Sequence, residues 1–127
     1  MPLALVASPA QAARAAERML RKRYDFVPLE EAAMVVALGG DGFLLQTLHE
    51  MLHREKLCPV FGMNRGTVGF LMNDWRIDRL RERLAGAKTF SVPPLSMRAT
   101  SATRCSPCTW VTVLDGPAAS LCLATTR

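Results

Sequence analysis

The stretch AMVVALGGDGFLLQTLH, residues 33–49, decides the fold. It begins with a short apolar run, Met34 to Leu38, which predicts a buried strand. A glycine-rich turn with one acid follows at residues 39–42, and an amphipathic helix is predicted from Phe43. Glycines allow positive φ and a close approach of the backbone to a ligand, while the helix start presents free N–H groups and its positive dipole end. Such a turn is typical of a phosphate site.

The acid in this turn, Asp41, is unusual because a carboxylate repels phosphate. It is better suited to act as a general base, a metal contact or an acceptor for a sugar hydroxyl. Glycine and aspartate are also common in strand-to-helix turns that bind nothing. The turn by itself therefore leaves the function open.

Composition narrows the class of protein. The chain has 127 residues, half of them hydrophobic, which is enough for one globular domain with a modest core. It has no apolar run near 18 residues, so no membrane helix is expected. Its start lacks a basic region, and Ser8-Pro9 interrupts a short apolar run, so we expect no secretory signal and a cytoplasmic location. The net charge of +5 is compatible with anionic ligands such as nucleotides, but no motif indicates nucleic-acid binding.

Strands and helices alternate along the first 99 residues. Before the central stretch we predict a strand over 3–7, a helix to Arg23 with Ser8 as N-cap and Pro9 in its first turn, and a possible short strand over 25–27. Helix two should run from Phe43 to His53 with four leucines facing inward: Leu44, Leu45, Leu48 and Leu52. A strand over 58–62, a helix capped by Asp74 and stopped at Gly86, and strands over 90–92 and 95–99 should follow. Most of the basic residues on the predicted helices, in two clusters over 14–23 and 76–83, are assigned to solvated helix faces.

This order predicts the α/β class, with a mainly parallel sheet flanked by helices. A second glycine-rich segment, GMNRGTVGFLMN at residues 62–73, also follows a strand. Ligands of such sheets gather at the carboxyl ends of the strands. Both glycine-rich segments should therefore lie on the same edge of the sheet.

Two other motifs are weighed and not favoured. His49-Glu50-Met51-Leu52-His53 fits the local zinc-protease pattern, but no later histidine offers a third ligand. Cys105 and Cys108 could form a redox pair or half of a zinc site, but a second ligand pair is missing. The segment that contains them, residues 100–127, is rich in Thr, Ser, Ala and Cys, and we expect an irregular tail with a possible strand over 110–114.

The two glycine-rich segments together resemble the NAD kinase family. Gly39-Gly40-Asp41-Gly42 followed by FLLQT is shared with diacylglycerol-type lipid kinases and phosphofructokinases, whereas GMNRGTVGFL at residues 62–71 is more selective. The order of elements also matches, so the resemblance spans residues 1–99. It implies an NAD kinase-like N-terminal α/β domain. A diacylglycerol-type lipid kinase relative is a third, weaker reading.

The resemblance also implies an activity, in which the γ-phosphoryl group of ATP passes to the 2′-hydroxyl of the adenosine ribose of NAD and gives NADP. Asp41 would accept the hydroxyl proton, the glycines would bring N–H groups to phosphates, and Phe70 and Leu71 would form a wall near the adenine. The implied binding residues are Gly39, Gly40, Gly42, Phe43, Asn64, Arg65, Gly66, Phe70 and Leu71. Magnesium would bridge phosphate oxygens without a dedicated set of protein ligands, polyphosphate is an alternative donor, and the full-length family implies a homo-oligomer.

The sequence departs from the family after about residue 99. The family has a second, β-rich domain with an Asn-Glu motif that binds NAD, and no Asn-Glu pair occurs here. We therefore expect a family-like domain over 1–99 and an atypical tail over 100–127, and we hypothesise that the reading frame is altered near residue 100. The alternative function is a non-catalytic, nucleotide-binding fragment.

Overall fold

A computed structural model of the chain describes residues 1–54, 57–66, 69–93 and 121–125. These residues form one five-stranded sheet with strand order β1-β2-β3-β5-β4. The strands are β1 (Leu3–Ala7), β2 (Met34–Gly39), β3 (Val60–Asn64), β4 (Lys88–Val92) and β5 (Leu121–Thr125), and the helices are α1 (Gln11–Arg23), α2 (Asp41–His53) and α3 (Leu80–Ala85), with a short 3-10 turn over Leu29–Glu31. β1, β2, β3 and β5 are parallel, and β4 pairs antiparallel with β5. The predicted class, a mainly parallel sheet flanked by helices, is confirmed.

The core has two layers because successive strand residues point to opposite faces of the sheet. On one face, Val36 and Phe61 pack with Ala16 and Leu20 of α1 and with Leu84 of α3. On the other face, residues of β2 and β3 pack against α2, through Val35, Val60, Leu44, Leu48 and Met51. β2 is buried along its whole length, as the continuous apolar run predicts. The central strand therefore holds the turn at 39–42 in a fixed place.

Helix α1 begins at Gln11, two residues later than Pro9, and its N-cap is Ala10. The prediction of Ser8 as N-cap is wrong because the Ser8 N–H donates to the carbonyl of Leu38 (2.9 Å), which keeps Ser8 beside β2. Residues 25–27 do not form a strand; only the Val27 N–H donates to the carbonyl of Leu3 (2.8 Å).

Helix α2 begins at Asp41, so it includes the acid and Gly42, which were assigned to the preceding turn. Leu44 and Leu48 are buried as predicted, but Leu45 is 53% exposed. Leu45 follows Leu44 by one residue, and a helix turns by about 100° per residue, so the two do not share a face.

Helix α3 begins only at Leu80, and Asp74 is not its cap. Its cap residue Arg79 has φ of 54°, a left-handed conformation that is uncommon outside glycine. The hydroxyl of Tyr24 accepts from the Leu80 N–H (3.4 Å) and donates to the carbonyl of Ile77 (2.9 Å). Tyr24, which is distant in sequence, thus accepts from the free backbone N–H at the start of the helix. Gly86 ends the helix as predicted.

Strand β5 was not predicted, since residues 121–125 fall in the segment expected to be irregular. It lies inside the sheet, between β3 and β4, with Ala124 fully buried. At least this part of the tail is therefore integrated into the same sheet as residues 1–93. The possible strands at 95–99 and 110–114 and the pair Cys105 and Cys108 lie outside the described residues.

Candidate functional site

Asp41 is the first residue of α2 and lies at the carboxyl end of β2. Its Oδ2 accepts a hydrogen bond from the backbone N–H of Phe70 (2.9 Å), and its Oδ1 accepts one from the N–H of Leu71 (3.0 Å). The positive end of the helix dipole also favours a carboxylate at this position. The acid is thus fixed in orientation by the second glycine-rich segment.

The two glycine-rich segments meet as predicted. The Arg65 N–H donates to the carbonyl of Gly39 (2.8 Å), and a Cβ added to Gly66 would lie 3.4 Å from the Cα of Gly40. The close approach of two backbones explains the small residues at this point. It brings the carboxyl ends of β2 and β3 together around Asp41.

The glycines do not act through positive φ, which corrects one part of the prediction: no described glycine has that conformation. These glycines instead leave the backbone uncovered, because they carry no side chain. A Cβ at Gly40 or Gly42 would meet nothing within 4 Å, so the backbone of the turn is open on that side. At Gly39, in contrast, a Cβ would lie 3.0 Å from the Phe43 side chain. Phe43 therefore packs against the turn, partly buried.

The second segment is shaped by its own side chains. The side-chain oxygen of Asn64 accepts from the Gly66 N–H (2.9 Å), which closes a tight turn after β3. The Arg65 guanidinium lies 5.1 Å from the centre of the Trp75 ring, and its Nε is buried with no hydrogen-bond partner among the described residues. Arg65 thus joins the site through its backbone, while its side chain packs toward Trp75.

Phe70 and Leu71 turn their amides to Asp41 and expose their side chains. Phe70 is 84% exposed and Leu71 is 39% exposed. A large exposed aromatic ring beside a fixed acid is a surface on which a planar ligand can stack. The structure brings both residues next to Asp41.

Two contributors were missed from the sequence. Asn73 is buried and joins the second segment to β3 and β5. Arg83 was assigned to a solvated face, but its guanidinium donates to the carbonyls of Asp74 (2.9 Å) and Arg76 (3.3 Å) and lies over the ring of Phe61. Burial, and then the nearby charge of Arg76, lower the pKa of Arg83 from its usual value. In the sequence, the polar Asn73 directly after the apolar run 70–72 is a weak signal for the first, and no local signal indicates the second.

His49 and His53 lie at the far end of α2, roughly 12–18 Å along the helix from Asp41. Their Nε2 atoms are 2.9 Å apart and both residues are exposed. The described part of the chain has no group of three His, Cys, Asp or Glu side chains that could hold a metal ion. The histidine pair therefore gains no third ligand from these residues. Among the same residues, no helix is both long enough and apolar enough to cross a membrane.

The fold and the site define an α/β protein with a candidate ligand site at the carboxyl edge of a parallel sheet. Proteins of known function with similar sequences are NAD kinases. The chain is 59% identical over 95 residues to the NAD kinase of Rhizorhabdus wittichii, 56% over 95 residues to that of Zymomonas mobilis and 45% over 102 residues to that of Caulobacter vibrioides. No family model matches the chain.

These alignments cover 75–80% of this chain and 37–38% of each relative. Identity at this level shows that the chain is a homologue of NAD kinases, as its two glycine-rich segments indicate. The chain spans well under half the length of these relatives.

Proposed function

We propose that this protein phosphorylates NAD at the 2′-hydroxyl of its adenosine ribose, with ATP as donor and NADP as product. The observation that supports this most directly is the placement of Asp41, which is fixed by the amides of Phe70 and Leu71 where two glycine-rich segments meet. The similarity to NAD kinases supplies the substrate class.

Asp41 is assigned the role of accepting the proton of the attacking hydroxyl. An ionised carboxylate offers about four lone-pair positions. Two of these lone-pair positions accept the N–H groups of Phe70 and Leu71, which leaves about two that these amides do not use. The acid can therefore be held by the protein and still accept a hydrogen bond from a sugar hydroxyl.

The remaining residues would position the two substrates, which is the main contribution of a protein to phosphoryl transfer. The open backbone at Gly40 and Gly42 and the start of α2 would face phosphate oxygens, beside Gly39 and Phe43. The exposed ring of Phe70 and the side chain of Leu71 would form the wall for the adenine. Asn64, Arg65 and Gly66 would complete the rim, mainly through backbone groups.

Magnesium fits this proposal as part of the nucleotide substrate. Mg²⁺ is commonly bound by one or two carboxylates together with substrate phosphates and water. At this site Asp41 supplies a carboxylate that such an ion could contact. The ion would neutralise phosphate charge beside the carboxylate of Asp41.

A second function, nucleotide binding without turnover, is favoured by one observation. No Asn-Glu pair, the motif to which the family resemblance assigns NAD binding, occurs in the sequence of this chain. Precise positioning of reactants accounts for roughly 7–11 kcal/mol of catalysis, so the absence of that motif would slow phosphoryl transfer. Such a protein would bind a nucleotide at the same turn and release it unchanged.

Three further features belong to the proposal and remain predictions. ATP is the preferred donor, with polyphosphate as the alternative. We propose a cytoplasmic location, and a homo-oligomer for the full-length protein as the family resemblance implies.

One experiment separates the two functions. The purified chain is incubated with NAD and either MgATP or magnesium polyphosphate, and NADP is detected with an NADP-specific dehydrogenase. NAD binding is followed in parallel by calorimetry. NADP formation supports the kinase, binding without NADP supports the non-catalytic fragment, and neither binding nor NADP rejects both.

A further inference from the structure

We propose that Asn73 is the positioning residue of this site, because it fixes the loop over residues 69–72. The Phe70 and Leu71 amides of this loop orient Asp41. The inference deepens the proposed function, and its consequence for catalysis rests on that function. Its structural content does not depend on any nucleotide.

The backbone of Asn73 is paired with the end of β3. Its N–H donates to the carbonyl of Gly62 (2.8 Å), and its carbonyl accepts from the Asn64 N–H (2.9 Å). Together these bonds make a parallel bridge with Met63. The loop is thereby attached to the strand that leads into the site.

The side chain of Asn73 is buried, with 1% of the residue exposed, and it uses both ends of the amide. Its Nδ2 donates to the carbonyls of Gly62 (3.0 Å) and Ala124 (3.3 Å), and its Oδ1 accepts from the hydroxyl of Thr125 (3.1 Å). The amide thus joins β3, the loop and β5. An apolar side chain would remove this side-chain donor from both carbonyls, although Gly62 would keep the bond from the Asn73 backbone N–H. A carboxylate would place an acceptor oxygen against the same two carbonyl oxygens.

The loop over residues 69–72, which connects Asn73 to the amides that bind Asp41, has little conformational freedom. Only Met72 separates Asn73 from Leu71, and Met72 is itself buried. A Cβ at Gly62 or Gly69 would lie 2.5 or 2.9 Å from atoms of the Met72 side chain, so both glycines leave room for Met72 in its present position. Consecutive Cα atoms are about 3.8 Å apart. The position of Asn73 therefore sets where the amides of Phe70 and Leu71 meet the carboxylate of Asp41.

The test is amide hydrogen exchange, followed by NMR on the full chain without ligand. Thr125→Val removes the hydroxyl that donates to Asn73 and keeps the side-chain shape. Exchange at Phe70 and Leu71 should accelerate about 5- to 10-fold, as expected for the loss of one hydrogen bond, while amides of β1 and β2 keep their rates. Thr47→Val is the matched control, since the Thr47 hydroxyl bonds within α2 to the carbonyl of Phe43 (2.9 Å). It should leave exchange at Phe70 and Leu71 unchanged.

Asn73→Asp is the stronger variant and should accelerate exchange at the same two amides more than Thr125→Val does. If Asn73→Asp does not fold, Thr125→Val decides. Unchanged exchange at Phe70 and Leu71 in Thr125→Val, or equal acceleration throughout β1 and β2, overturns the proposal.

The same variants separate this proposal from the proposed function. In an active chain, Thr125→Val should lower kcat for NADP formation, whereas Thr47→Val should not. If Thr125→Val selectively accelerates exchange at Phe70 and Leu71 but the parent chain forms no NADP, the result supports the role of Asn73 and counts against the kinase.

Discussion

The backbone N–H of Leu71 donates a hydrogen bond of 3.0 Å to Oδ1 of Asp41, although 30 positions separate the two residues in sequence. The neighbouring amide of Phe70 binds the other oxygen of the same carboxylate. The acid of the first glycine-rich segment and the backbone of the second are therefore one structural unit. Substitutions on either side of this contact should be felt at the other.

Gly62→Ala should destabilise the protein by about 1–3 kcal/mol, because overpacking a core forces side chains or backbone to shift. The added Cβ would lie 2.5 Å from the sulfur of Met72 and 3.3 Å from Leu44. Urea denaturation measures the change. Met72 and the neighbouring loop residues should also move, which should change the NMR chemical shifts of the Phe70 and Leu71 amides.

Gly42→Ala is the matched control for that substitution. A Cβ at Gly42 meets nothing within 4 Å, and the residue lies in the first turn of α2. Alanine is favoured over glycine in helices by about 0.5–1 kcal/mol, so this variant should be as stable as the parent or more stable. Equal losses in Gly62→Ala and Gly42→Ala would contradict the packing described for Met72.

Leu44→Ala and Leu45→Ala should differ strongly although the residues are neighbours. Leu44 is fully buried against β2 and β3, so its truncation should cost about 2–5 kcal/mol. Leu45 is 53% exposed, so its truncation should cost less than about 1 kcal/mol. The two free energies of unfolding are compared in urea. A reversed order would mean that α2 is rotated relative to the sheet.

Arg83→Lys should loosen the loop that follows Asn73. A guanidinium reaches the carbonyls of both Asp74 and Arg76, whereas a lysine ammonium is a single point donor. We expect a loss of about 1 kcal/mol in stability and faster exchange of amides in residues 74–77. Arg81→Lys, at an exposed position of the same helix, should change stability by less than about 0.5 kcal/mol. Equal losses of stability in the two variants would contradict a stabilising role for the bonds of Arg83 to Asp74 and Arg76.

Much of the fold could be predicted because its signals are local. The apolar run of β2 and the glycines after it define the central strand and the turn, and the alternation of strands and helices defines the class. The meeting of residues 39–42 with residues 65–66 and 70–71 could be predicted from the parallel sheet, since the carboxyl ends of its strands share one edge.

Several of the failures share one cause, which is long-range contact. The start of α3 depends on the hydroxyl of Tyr24, more than 50 residues away, and not on Asp74. Strand β5 lies in a segment with no clear alternation, and it is defined by its pairing with β3 and β4. The roles of Asn73 and Arg83 likewise rest on partners that no local pattern reveals. The altered reading frame near residue 100 stays a prediction, to be checked by translating the other frames of the gene for an Asn-Glu continuation.

The central claim is that Asp41 activates the hydroxyl of NAD, and Asp41→Asn tests it most directly. The substitution keeps the size of the side chain and removes its basicity, and it places an NH2 donor against one of the two amides, of Phe70 or Leu71, from which Asp41 accepts hydrogen bonds. NADP formation should fall by at least about 100-fold, the usual contribution of a general base, while calorimetry shows NAD binding close to that of the parent. NADP formation by Asp41→Asn at the parent rate would contradict the account.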